Sequence, residues 1–169
     1  LFKKNKIDVI MGSGKLIAAN KMEVTAADGF KQTVEAKNII IATGGRAREL
    51  PTMPIDEKKI VGYREAMVLP EQPKSMIVCG SGAIGSEFAY FYNSMGTKVT
   101  MVEFMPRLVP VEDEDISKEL EKNFKKQGMT IMTSAEITKV DTSGDGVKAT
   151  VKTAAGEVVL EADILLSAV

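Results

Sequence analysis

The residues of this chain whose types and spacing could do chemistry are three glycines and one carboxylate. Gly80, Gly82 and Gly85 stand in the run Gly80-Ser81-Gly82-Ala83-Ile84-Gly85, directly after the apolar stretch Met76 to Cys79 and directly before a stretch with helical spacing. In that setting the first glycine permits a tight turn, the second lets the backbone approach a pyrophosphate, and the third allows close packing of helix on strand. Backbone N–H groups at the helix start then form an anion site. Glu103 ends the next apolar stretch, 18 residues after Gly85. A carboxylate there can accept hydrogen bonds from both ribose hydroxyls of an adenosine, whereas a 2′-phosphate would meet its negative charge. The expected ligand is a dinucleotide, NAD in preference to NADP.

Neighbouring polar residues carry less. From spacing alone, Glu87 is an acid favoured by the positive end of the helix dipole. Arg107 is separated from Glu103 by Phe104-Met105-Pro106 and makes a poor phosphate clamp. Cys79 reads as a small buried residue, because no second cysteine exists to resolve it in redox chemistry. The acidic run Glu112 to Asp115 has its ordinary explanation at a helix start, and the ten methionines are scattered like core filler. With no histidine the chain has no Ser-His or Cys-His nucleophile and no imidazole base, and its single cysteine excludes an internal disulfide. No catalytic residue and no metal site is expected. The 22 Lys plus Arg against 23 Asp plus Glu leave a net charge of −1, so nucleic acid is not an expected partner. No apolar run approaches the roughly 20 residues a membrane span needs, and a soluble intracellular protein is expected.

The elements that must position these residues follow from hydrophobic period. Met76 to Cys79 predicts a strand. Phe88, Ala89, Phe91, Tyr92 and Met95, with Gly96 as a stop, predict the helix that follows the glycine turn. Val99 to Glu103 predicts a second strand, residues 113–127 a second amphipathic helix stopped by Gly128, and residues 129–133 a third strand. Each crossover contains a helix, so the strands are predicted to be parallel. The expected fold class is α/β: a Rossmann-like dinucleotide-binding domain with a parallel sheet, crossover helices and a three-stranded antiparallel meander.

Ahead of this lie short extended runs over residues 7–11, 16–19, 21–26 and 30–36, with Asp28-Gly29 as a hairpin turn. Asn38 to Thr43, a continuous apolar run before Gly44-Gly45, predicts a strand covered on both faces. Residues 46–73 hold four of the six prolines and are predicted to connect, with one helical turn near Tyr63 to Val68. The end of the chain repeats this plan: Gly156 matches Gly29, Glu161-Ala162 matches Glu35-Ala36, and an apolar strand follows each. Any hairpin before a buried strand has this pattern; as a duplication it means two copies of one nucleotide-binding plan. Leu1 is no initiator methionine and the chain ends on an apolar strand, so it reads as part of a longer protein.

These residues resemble the flavoprotein disulfide reductases, and within them the dihydrolipoamide dehydrogenase branch. The resemblance covers essentially the whole chain. It rests on Asn38-Ile39-Ile40-Ile41-Ala42-Thr43-Gly44, on Gly80 to Glu87, on Val99-Thr100-Met101-Val102-Glu103-Phe104 and on Ala162 to Val169. Glu103-Phe104 followed by Pro110, Asp113 and Asp115 is similar to the lipoamide branch, and the basic residues with which glutathione-type relatives hold NADP are missing.

The resemblance implies that Gly80, Ser81, Gly82, Ala83, Ile84, Gly85 and Glu87 hold the NAD pyrophosphate and reach toward the nicotinamide, with Glu87 near its ring. It implies that Glu103 binds the adenosine ribose, that the Ile137 backbone lies by the adenine, and that Gly14, Ala42, Thr43 and Gly44 line FAD. Residues 1–45 would then be a remnant of an FAD-binding domain, 46–73 a connecting segment and 74–169 the NAD-binding domain. The implied parent passes electrons from dihydrolipoamide through a disulfide and FAD to NAD. It would work as a homodimer on lipoyl-carrying proteins of 2-oxoacid dehydrogenase or glycine cleavage complexes, in the bacterial cytoplasm or the mitochondrial matrix. The redox cysteine pair, the FAD glycine fingerprint and the histidine base of that family are not among these residues, so the chain itself is expected to bind nucleotide only. Two other readings stay open, a sibling such as a mercuric or coenzyme A disulfide reductase, and a non-enzymatic NAD-binding module. The apolar strand at Ile39 to Thr43 would lack a sheet and is expected to borrow one or to pack on a partner chain.

Overall fold

The computed structural model describes residues 1–169, which divide into two compact units, Leu1–Gly45 and Arg46–Val169. In the first, strands β1 (Ser13–Ala18), β2 (Lys21–Thr25) and β3 (Lys31–Glu35) form an antiparallel meander in that order. The hairpin expected at Asp28-Gly29 is present. Gly29 takes a φ of 86°, and the Phe30 N–H donates to the Asp28 carboxylate at 2.9 Å.

Two expected strands do not form. Residues 7–11 lie in irregular backbone, and so does Asn38 to Thr43, where Ile40 is 90% and Ile41 69% exposed. A continuous apolar run encodes a strand that must be covered on both faces, and a strand exists only where a neighbour accepts and donates its ladder hydrogen bonds. The meander offers neither: residues 38–43 join no ladder and borrow no strand.

The second unit is an α/β layer structure, as the period of its sequence requires. In chain order its elements are β4 (Ile60–Val61), α1 (Tyr63–Ala66), β5 (Ser75–Cys79), α2 (Ala83–Ser94), β6 (Lys98–Val102), α3 (Glu114–Lys126), β7 (Thr130–Met132), β8 (Glu136–Asp141), β9 (Val147–Thr153), β10 (Gly156–Ala162) and β11 (Ile164–Ser167). The parallel sheet runs β4-β11-β5-β6-β7, and β10-β9-β8 is a second antiparallel meander. The two meanders realise the internal repeat. The strands after them do not, since β11 pairs with β5 while residues 38–43 stay unpaired.

Residues 46–73, read from sequence as a connecting segment, belong to this second unit. They supply the edge strand β4, the short helix α1 where one helical turn was expected, and the fully buried Met53. Two residues of β4 leave no periodic signal; they pair because β11 runs alongside.

Period-two alternation sends neighbouring residues to opposite faces of the sheet. Met76, Val78, Met101 and Leu166 meet Ala89, Tyr92 and Phe124 on the helix side. Ile77, Cys79, Val102 and Leu165 meet Ile137, Ala149 and Val151 on the meander side. Asp113 caps α3 by accepting from the Asp115 N–H at 2.8 Å.

The edge is tied down by Lys59, whose ammonium donates to the Thr142 carbonyl at 2.7 Å and also to the Gly144 carbonyl. Lys59→Met keeps the aliphatic stem and removes both bonds. It is expected to cost about 1 kcal/mol, after allowing for partial exposure. Chemical denaturation checks this, and an unchanged midpoint would show that the tether holds nothing.

Candidate functional site

The glycine run occupies the turn between β5 and α2. Gly80 has a φ of 98°, and a Cβ there would lie 2.5 Å from the Ala168 carbonyl oxygen, so this position requires glycine on two counts. A Cβ on Gly85 would collide with the Gly80 carbonyl; helix and turn touch here without side chains. Gly82, the N-cap of α2, is different: a Cβ there would meet nothing within 4 Å. Packing therefore does not explain the glycine at 82, whereas a ligand lying against that backbone would. The first turn of α2 contains no acidic residue of its own.

Strand order places this turn where ligands bind in open α/β sheets. From β5 the chain crosses through α2 to β6 on one side, while β11 lies on the other, so the carboxyl ends of β5 and β11 flank a switch point. A cleft of about 550 Å³ opens there, lined by Gly80, Ser81, Gly82, Glu103, Phe104, Ile137, Ala168 and Val169 among others. Of the expected turn residues, Gly80, Ser81 and Gly82 thus share one cleft with the expected carboxylate and Ile137. Ile137 turns its side chain into the meander-side core, which leaves its backbone as the part able to meet a ligand.

Glu103 follows β6 and is only 6% exposed. One carboxylate oxygen, Oε2, accepts from the Ser81 N–H at 2.7 Å and from the Ser81 hydroxyl at 2.6 Å. The other, Oε1, accepts from the Met105 N–H at 2.7 Å. Two carboxylate oxygens offer about four acceptor positions. Three are taken, and the remaining capacity is on Oε1.

The other expected site residues are placed elsewhere. Glu87 is exposed on α2 and lines a separate cavity of about 490 Å³ with Ala66, Phe88, Phe91 and Tyr92. Ala83 and Ile84 are exposed in the first turn of α2. Arg107 donates to the Pro110 carbonyl at 3.0 Å, which engages its guanidinium in its own loop. In the first unit, Gly14 lies in β1, where a Cβ would come within 2.8 Å of the Met22 sulfur. Ala42, Thr43 and Gly44 lie in exposed irregular backbone.

Sequence reasoning did not assign Phe104, Ala168 and Val169 to the cleft. Phe104, next in sequence to the carboxylate, was a usable signal. The other two enter only because β11 pairs with β5.

Burial, and then the nearby Glu103 carboxylate, push the Cys79 thiol from 9.0 up to about 12. Between about pH 9 and 12 the unfolded chain releases a proton that the folded chain keeps, so this group makes stability fall as pH rises through that window. At pH 8 an aromatic disulfide reagent is expected to leave the native protein unlabelled and to label one thiol after unfolding. Rapid labelling of the native state would show that the thiol is open to the cleft.

Comparison with known proteins gives the family. The family model described as pyridine nucleotide-disulphide oxidoreductase matches residues 1–169. The chain is 43% identical over 168 residues to leghemoglobin reductase of Glycine max, covering 98% of this chain and 32% of that protein. It is 42% identical over 168 residues to mitochondrial dihydrolipoyl dehydrogenase of Pisum sativum, covering 98% and 34%. Among solved structures, LpdA from Mycobacterium tuberculosis superposes with a TM-score of 0.84 at 31% identity, covering 99% of this chain and 37% of that one. The chain thus spans about a third of the length of the curated relatives it matches. No helix in it is long and apolar enough to cross a membrane. The family model spans the whole chain and the fold agrees with it: the chain belongs to the pyridine nucleotide-disulphide oxidoreductase family.

Proposed function

We propose that residues 74–169 are the NAD(H)-binding domain of a dihydrolipoamide dehydrogenase and that residues 1–45 are part of its FAD-binding domain. The observation that carries the nucleotide reading is the buried Glu103 carboxylate in the same cleft as the open backbone at Gly82. In this reading the first turn of α2 receives the pyrophosphate, Glu103 accepts from the adenosine ribose, and the Ile137 backbone borders the adenine. Glu87, on the same helix but facing another cavity, serves the nicotinamide end. A carboxylate at the ribose favours NAD, because the added phosphate of NADP would bring like charge onto Glu103. Gly14, Ala42, Thr43 and Gly44 would line FAD once the rest of that domain is present.

The bound nicotinamide supplies hydride transfer; the residues of this chain bind and orient it. With one cysteine and no histidine they supply neither a dithiol nor an imidazole base. The parent would oxidise dihydrolipoamide on lipoyl-carrying proteins, passing electrons through a disulfide and FAD to NAD. It would do so as a homodimer; the likeness to a plant mitochondrial and a bacterial dihydrolipoyl dehydrogenase supports the mitochondrial matrix or a bacterial cytoplasm as its place.

Calorimetric titration with NADH and, separately, NADPH tests the nucleotide reading. Saturable binding with NADH preferred is expected. Binding of neither, or tighter binding of NADPH, overturns it.

A further inference from the structure

We propose that Ser81 is a positioning residue for nucleotide selection: its N–H and its hydroxyl together hold Glu103 in the orientation that admits a ribose 2′-hydroxyl and rejects a 2′-phosphate. The inference rests on the NAD reading of the cleft and extends it to a residue that touches the carboxylate rather than the ribose.

Three observations carry it. First, Glu103 is buried yet belongs to no ion pair, so hydrogen bonds alone compensate its removal from water. Two of its three donors come from Ser81, and both act on the same oxygen. That oxygen is saturated, which leaves Oε1 as the atom able to accept from a ligand.

Second, Ser81 is itself held at its remaining polar atom. Its carbonyl accepts from the Ser86 hydroxyl at 3.0 Å and from the Val109 N–H at 3.1 Å. Ser81 is fully buried and held at its carbonyl, so the two donors it offers Glu103 are fixed in place. Third, Val109 reaches that carbonyl with a φ of 39°, in the left-handed region that a β-branched residue rarely enters. The loop after β6 therefore meets the glycine turn at a backbone cost, and Ser81 is the point of contact.

A glycine or alanine at position 81 would preserve the turn and the N–H but free one side of Oε2. The carboxylate could then rotate away from an incoming 2′-phosphate, and the ribose 2′-hydroxyl would lose a fixed acceptor.

The test is a set of NADH and NADPH titrations on the complete protein that carries this chain, as wild type, Ser81→Ala, Ser81→Gly, Glu103→Gln and Ser81→Ala/Glu103→Gln. Loss of a charge-assisted hydrogen bond predicts that each Ser81 variant binds NADH about tenfold more weakly while NADPH changes by less than about twofold. In the Glu103→Gln background, Ser81→Ala should move the NADH/NADPH ratio by less than about twofold. A merely structural role would weaken both nucleotides equally or act undiminished in that background, and either result overturns the proposal. So does an unchanged ratio in both Ser81 variants while Glu103→Gln shifts it, and in that case the ribose role of Glu103 stands. If Glu103→Gln leaves the ratio unchanged, the NAD reading itself falls and takes the Ser81 proposal with it.

Discussion

Gly85→Ala is expected to lower stability by about 3 kcal/mol, near the upper end for overpacking of a well-packed site. The new methyl would collide with the Gly80 carbonyl and come within 3.3 Å of the Ala168 Cβ. Neither neighbour is a flexible side-chain end that can swing aside, so α2 must lift off the strands beneath it. For a domain of this size that corresponds to a fall in Tm of roughly 6–12 °C. Because the proposed pyrophosphate site is the start of α2, NADH affinity should fall by at least about tenfold as well.

Gly82→Ala separates the two effects. The added Cβ meets nothing, and the backbone at 82 has a φ of −62° that alanine adopts freely, so the Tm should change little. The methyl nevertheless occupies the space in which a pyrophosphate would lie, and NADH binding should fall by at least about tenfold. Thermal melts and fluorescence titrations of both variants decide the matter. If Gly82→Ala binds NADH as the wild type does, no ligand backbone approaches there and the glycine run is only a turn.

The second large effect is expected from Glu103→Ala. Removing the carboxylate deletes the acceptor for a ribose hydroxyl, which at about 1.5–3 kcal/mol for a charge-assisted hydrogen bond means roughly 10- to 100-fold weaker NADH binding. NADPH, which gains nothing from that carboxylate, should lose much less, so discrimination between the two narrows. The same substitution leaves the Ser81 N–H, the Ser81 hydroxyl and the Met105 N–H without their acceptor. Buried donors left unpaired should cost about 2 kcal/mol of stability even without ligand. The NADH/NADPH ratio distinguishes the binding effect from the stability effect, since general loosening would weaken both nucleotides alike. Unchanged affinities for both would remove Glu103 from the site.

Much of this was written in local sequence. The glycine turn, the helices behind Phe88 to Met95 and Ile116 to Phe124, and the Asp28-Gly29 hairpin depend on dihedral preference and side-chain period, which neighbouring residues set among themselves. Both amphipathic helices lie where their spacing puts them, and the meander was legible twice over through the repeat. The run Asn38 to Thr43 shows where such reading stops. Its composition states that it must be buried as a strand, but composition cannot supply the strand beside it, and in this chain the run stays exposed. Residues 60–61 fail in the opposite sense, forming a strand with no pattern of their own because a neighbour pairs with them.

The sequence by itself therefore determined the class of the fold, the glycine turn and the carboxylate 18 residues beyond Gly85. Only the tertiary structure decided that Ser81 holds Glu103 across 22 positions of chain, that Ala168 and Val169 wall the cleft, and that Glu87 faces a different cavity. The reason is that the first two depend on strand order and the third on residues 66–72 lying against α2. Hydrogen bonds and burial between residues far apart in the chain exist only once β11, β5 and β6 lie side by side, and no local preference specifies that arrangement.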